Sequence, residues 1–109
     1  MQIIKYADKT VHQTHDNALV DEYYMHNKLI DLCVVHINGR TPLKGKLVNS
    51  DFSCVCYVLN GSGFVCGNSI SVGDAFNILV HEPYWFERNF IMIMCGTPAF
   101  NPNQCQIID

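Results

Sequence analysis

Turn-forming residues break this sequence every several positions, and no segment between them carries the 3.6-residue apolar stripe of an amphipathic helix. The signals are Asn38-Gly39, Asn60-Gly61-Ser62-Gly63, Gly67-Asn68, Gly73-Asp74, Glu82-Pro83 and Arg88-Asn89. Gly and Asn tolerate the positive φ that tight reversals demand. The stretches between them are rich in Val, Ile, Tyr and Phe, which suit a pleated, half-buried surface. Strands are therefore predicted at Gln2–Tyr6, Leu19–Met25, Leu32–Ile37, Cys54–Asn60, Gly63–Cys66, Ser69–Val72, Ala75–Leu79, Tyr84–Glu87 and Phe90–Cys95. Asn60-Gly61 is the strongest two-residue hairpin signal among the turns. Many short strands with frequent reversals predict an all-β sandwich or barrel. The segment from Asp8 to Asp21 is polar and His-rich and shows no such pattern.

Composition narrows the class. A chain of 109 residues with 49% hydrophobic and 16% charged residues is expected to form one domain, residues 1–109, with a single apolar core. A net charge of -3 argues against a nucleic-acid partner, which needs a surplus of Lys and Arg on one face. No stretch approaches the ~20 apolar residues of a membrane helix, and the first residues carry no signal-peptide run. A cytoplasmic location without a membrane partner is the expectation. Six cysteines fit it, because Cys33, Cys54, Cys56, Cys66, Cys95 and Cys105 form no C-x-x-C pair. Cys54 and Cys56 lie two apart in an expected strand, about 6.6 Å between α-carbons, at the upper limit for a disulfide. Buried, reduced thiols are predicted.

The middle of the chain carries a family resemblance. Tyr57-Val58-Leu59-Asn60-Gly61-Ser62-Gly63-Phe64-Val65, followed by Ser69-Ile70-Ser71-Val72-Gly73-Asp74-Ala75-Phe76-Asn77-Ile78, resembles the small single-domain cupins. That family reads Tyr-Val-Leu-x-Gly-x-Gly at the end of its first motif and Gly-Asp at the start of its second. The resemblance runs from about residue 34 to residue 99, and residues 1–25 lie outside it. It implies a double-stranded β-barrel of jelly-roll type. In such a barrel, Gly61-Ser62-Gly63 and Gly73-Asp74 are expected to reverse the chain. Apolar residues on both faces of Ala75–Leu79 and Phe90–Met94 then imply a filled interior and a covered exterior, and a homodimer is expected to supply the cover.

The resemblance implies a metal centre only where its ligands are present. The first family motif has His-x-His, three or four residues, Glu, and six residues before Gly. With Gly61 as that glycine, Glu is replaced by Cys54, and the histidines by Val48 and Ser50 or, with the longer spacing, by Leu47 and Asn49. The histidine of the second motif is replaced by Tyr84. No metal and no cofactor are expected, since such a centre needs three or four convergent N or O donors. A displaced site would have to combine His36 or His81 with Cys54 or Cys56.

The remaining candidates point to a small-molecule site. If Tyr84 takes the inward direction of the motif histidine it replaces, as the resemblance implies, strand alternation turns Phe86 inward as well and Trp85 outward. Asn49, Ser50, Cys54, Cys56, Tyr84, Phe86 and Met92 are the candidate ligand-binding residues, and the same aromatics would equally plug a filled barrel. Tyr84 and His36 are the candidate proton carriers if the protein is an enzyme. Arg40, Lys44 and Lys46 sit in one loop, as an anion attractant or as ordinary solvated charge. His12, His15 and Asp16 form a cluster that reads as a stray-metal site or, more commonly, as solvated loop residues. The expected function is metal-independent binding of a small anionic or carbohydrate-like metabolite. The alternatives are a metal-independent sugar or sugar-nucleotide isomerase or epimerase, and a dimeric interaction protein with a filled barrel.

Overall fold

A computed structural model describes all 109 residues and contains nine strands, two short 3-10 turns and no α-helix. The strands are β1 (Thr10–Thr14), β2 (Ala18–Glu22), β3 (Asp31–Asn38), β4 (Lys46–Asn49), β5 (Ser53–Val65), β6 (Asn68–Ser71), β7 (Ala75–Ile78), β8 (Phe86–Thr97) and β9 (Cys105–Ile108). The all-β expectation is met. One large antiparallel sheet runs in the order β1-β2-β3-β8-β5-β6, with β7 also paired to β5, and β4 and β9 form a second sheet. Isolated bridges join Thr41 to Phe86 and Leu47 to Tyr84, which stitches the two layers along one edge.

The alternation of β3 shows how sequence becomes layer. Asp31, Cys33, Val35 and Ile37 are buried while Leu32, Val34 and His36 are half-exposed, the period of two that a one-sided strand requires. Register carries that inner face across the sheet. Cys33 lies opposite Met94 and Met94 opposite Cys56; Val35 lies opposite Met92 and Met92 opposite Val58. The core is built from these rows, with Met92 and Val58 fully buried.

Several local expectations are corrected. Asn60-Gly61 is no hairpin, and Gly61-Ser62-Gly63 does not reverse the chain: they lie inside β5, facing Ile91, Phe90, Asn89 and Arg88 of β8. The register slips between Val58 and Asn60, and Gly61 adopts φ +79 where a β-carbon would meet the Asn89 carbonyl. Glycine is required here for the positive φ and the close strand approach just past the bulge. Arg88-Asn89, read as a turn, is likewise inside β8, with Arg88 at φ +76. The true hairpin between β5 and β6 turns on Cys66-Gly67. Residues 2–6 form no strand, whereas the polar segment supplies β1, whose pairing with β2 satisfies its backbone without an apolar stripe. Strands β4 and β9 come in addition: at four residues each they are too short for a period of two to stand out in the sequence.

Gly96 holds the two layers in contact. A β-carbon there would collide with the ring of Phe52, itself edge-on to Phe100 with centroids 5.0 Å apart. Gly96→Ala is expected to lower stability by about 2 kcal/mol through overpacking, read as a drop in denaturation midpoint with no change in the slope of the transition.

Candidate functional site

A cavity of ≈390 Å³ lies between the large sheet and the β4–β9 layer. Its wall on the large sheet is the inner face of β2 and β3, with Ala18, Val20, Val35 and Ile37 side by side. Leu47, Phe52, Tyr84 and Phe86 also line it. Tyr84 and Phe86 both face the cavity, with ring centroids 5.5 Å apart, while Trp85 packs against Arg40 and Lys46 instead.

Tyr84 is held by a chain of hydrogen bonds. Gln104 Nε2 donates to Asn49 Oδ1 at 2.8 Å, and Asn49 Nδ2 donates to the Tyr84 hydroxyl at 3.2 Å. The hydroxyl oxygen is thus an acceptor on its Asn49 side and keeps its own proton for another partner. Burial pushes the phenol well above its ordinary range, with the Cys105 thiol beside it adding to the effect. Tyr84 is therefore a neutral donor at physiological pH.

A second polar group occupies the β2–β3 wall. Glu22, Asp31 and Cys33 are all buried and all line the cavity. Burial first, and then the hydrogen bond and charge of Asp31, push the Glu22 carboxyl up to about 9. The Cys33 thiol is pushed up by burial and by the two carboxyl groups. Close by, His12 Nε2 and the Tyr24 hydroxyl share a hydrogen bond of 2.8 Å, and both line the cavity.

The other candidate residues fall in different places. Cys54 and Cys56 are buried with sulfurs 4.0 Å apart and unpaired, and neither lines this cavity; Cys54 opens instead onto a shallower depression with Ile30 and Leu79. Met92 is core, on β8 directly opposite Val35 of the wall. Ser50 is exposed, its hydroxyl donating to the Gln104 carbonyl at 3.1 Å. His36 points out of the sheet and meets Asp21 at 3.1 Å, so the structure does not bring it to Tyr84. His81 is exposed at φ +67. The Arg40 guanidinium is tied to the carbonyls of Pro42 and Gly45 and does not line the cavity.

At the positions where the cupin resemblance implies metal ligands, the longer motif spacing is the one that faces inward: Leu47 and Asn49 are buried, Val48 is half-buried and Ser50 is exposed. An aliphatic chain, an amide already engaged on both sides, a thiol and a neutral phenol do not make a first-row metal site. Glu22, Asp31, Cys33, His12 and Tyr24 were not singled out from the sequence. Their signal was present as alternation: Glu22 shares a face with Val20 and Ala18, and Asp31 heads the inner stripe of β3.

The Glu22 shift has a consequence for stability. Between the ordinary carboxyl range and about pH 9 the folded chain holds a proton that the unfolded chain releases. Stability is thus greatest on the acidic side of that window and declines as pH rises through it. In Glu22→Gln, neutral at every pH, the decline should flatten, as read from denaturation midpoints in chelator-treated buffer at about pH 5.5 and about pH 8.5.

No family model and no curated protein matches the sequence. Solved structures do resemble the fold. The chain superposes on Pac13, described as a unique nucleoside dehydratase, with TM-score 0.84 and 13% identity, covering 99% of this chain and 91% of that one. A single-substitution variant of Streptomyces PAC13, determined with uridine, gives 0.81 and 15% identity over 97% and 92%. An RmlC-like cupin from Shewanella frigidimarina gives 0.73 and 17% over 91% and 92%. The polyketide cyclase RemF from Streptomyces resistomycificus gives 0.78 and 14% over 100% and 86%. The fold is the cupin double-stranded β-barrel.

Proposed function

We propose that this cupin-fold chain binds a small, uncharged, hydroxyl-bearing molecule of nucleoside type in the cavity between its sheets. The observation that carries this is the cavity itself: ≈390 Å³, walled mainly by apolar side chains, with a few polar groups at fixed places. Apolar walls suit the faces of a ring, while Tyr84, His12 and Tyr24 offer hydrogen bonds to hydroxyls at its edge. An anionic ligand is less suited, because Glu22 and Asp31 lie in the wall and Arg40 is spent on backbone carbonyls. The PAC13 structure with uridine supports the choice of probe. At the Tyr84 end, binding proceeds without a metal.

A second reading, acid–base turnover of the bound molecule, is favoured by the proton carriers in the cavity. Tyr84 and the His12–Tyr24 pair line it, a different set from the pairing of Tyr84 with His36. Six unpaired thiols, three of them buried, support a reducing cytoplasmic setting. No helix is long and apolar enough to cross a membrane. The net charge of -3 supports no nucleic-acid partner.

Uridine and related nucleosides are expected to raise the thermal midpoint in proportion to the logarithm of their concentration over the dissociation constant. Tyr84→Phe should weaken that binding by about 1 kcal/mol, the worth of one neutral hydrogen bond. No shift with any nucleoside or free sugar would overturn the proposal. A Tyr84→Phe variant that binds normally but loses turnover would move it to the enzyme reading.

The outer face supports a homodimer. Val55, Tyr57 and Leu59 of β5 are 59%, 47% and 43% exposed, beside the half-exposed Ile91 and Ile93 of β8. A continuous apolar strip of this kind is normally covered. Light scattering should show a dimer that Tyr57→Lys converts to a monomer; a wild-type monomer would overturn the assignment.

A further inference from the structure

We infer that Glu22, Asp31 and Cys33 form a binding site for a divalent transition metal, with Zn2+ the ion their chemistry fits best, open to the cavity on its fourth side. The site is distinct from the cupin-motif positions Leu47, Asn49, Cys54 and Tyr84, and it stands independently of the nucleoside proposal.

Strand geometry assembles it. The antiparallel register of β2 and β3 sets Glu22 directly opposite Cys33, and Asp31 lies two residues before Cys33 on the same inner face. One oxygen from each carboxyl and the Cys33 sulfur consequently lie within 4.8 Å of one another. Zinc bonds of about 2.0–2.3 Å to oxygen and sulfur span such a triangle after small side-chain rotations. No other group of three potential ligands in the chain converges in this way.

A separate observation points to a missing partner. Glu22 is 6% exposed and its Oε1 has no hydrogen bond, the one buried side-chain oxygen or nitrogen in the protein left so. Buried polar atoms almost always find a partner, and this one belongs to a residue in the cavity wall. The Asp31 carboxyl, in contrast, is already anchored, its Oδ1 accepting from the Phe100 amide at 3.4 Å. Two carboxyl groups packed together must share a proton or a cation. A divalent ion would displace the shared proton, draw the proton from the Cys33 thiol and engage Oε1.

The donor set selects the ion. Two carboxylate oxygens and one thiolate are too soft for Mg2+ or Ca2+, which prefer six or more oxygens, and suit Zn2+. Three protein ligands leave a position facing the cavity, the arrangement of a zinc ion that meets water or a bound molecule.

Co2+ is the probe, since it occupies zinc sites and reports thiolate ligation by charge-transfer absorption. Chelator-stripped protein titrated with Co2+ should take up one equivalent with that absorption, and Zn2+ should displace it. Cys33→Ser should abolish the absorption, whereas Cys54→Ser should keep it. Glu22→Gln and Asp31→Asn should weaken binding by more than about tenfold. Glu22→Gln retains the neutral form of the native side chain, so it tests ligation in a folded protein. Absence of the charge-transfer absorption in the wild type, or its survival in Cys33→Ser, would overturn the site in favour of a shared proton alone. Uridine binding by the stripped protein reads the nucleoside proposal separately, so either can fail without the other.

Discussion

Strand β8 is the member on which the rest of the barrel depends. Its twelve residues pair with β3 on one side and with β5 on the other, and those two ladders carry most of the large sheet. Because side chains alternate strictly along a strand, the register of β8 decides which residues of three strands face inward. Met92 and Met94 fall between Val35 and Val58 and between Cys33 and Cys56, respectively. A slip of one residue would turn Ile91 and Ile93 inward and expel both methionines. The bulge between Val58 and Asn60 lets β5 stay paired past Gly61 without such a slip, Leu59 being the extra residue.

With that register fixed, the cavity follows from what the rows do at their ends. On β8 and β5 the central row of Met92 and Val58 closes as core beside Val35 of the cavity wall. Toward Gly96 the side chain vanishes and Phe52 comes in from outside the sheet, so the wall is made by an aromatic ring lying on bare backbone. Toward β2 and β3 the rows end on Cys33 opposite Glu22, with Asp31 beside them, and the interior becomes polar. The same alternation that buries a core has carried two carboxyl groups inside, where charge is costly and one proton must be retained.

Much of this is legible in the chain. The β3 and β7 alternations and the turns at Gly67 and Gly73 read correctly as strands and reversals, whereas β8 reads as two strands split at Arg88-Asn89; Phe86 faces inward with Tyr84, two residues apart on one face. What fails is where one residue type serves two physical ends. Glycine at 61 and 63 looks like a turn, yet is there because β8 passes too close for a β-carbon; nothing local separates the two causes. Strands β1 and β9 are held by backbone pairing at the margins, where no apolar pattern is needed, and β4, four residues long, is too short for its inward Leu47 and Asn49 to stand out as a period. His36 looked like a cavity residue because it sits in an apolar run, but its parity with Leu32 and Val34 puts it outside.

The polar residues of the cavity teach the same rule in reverse. Family motifs direct attention to Asn49, Cys54 and Tyr84, where the residue types have changed, and there the structure has spent the polar groups on one another: Gln104 to Asn49 to Tyr84. Glu22 and Asp31 lie outside those motifs, in strands where alternation alone assigns them to the interior. A buried acid on an apolar stripe is a costly residue to retain for packing, since a neutral isostere would fill the same space without desolvation. Polar groups thus line this cavity at two places, Glu22, Asp31 and Cys33 of the β2–β3 pair and Tyr84, whose phenol burial keeps protonated.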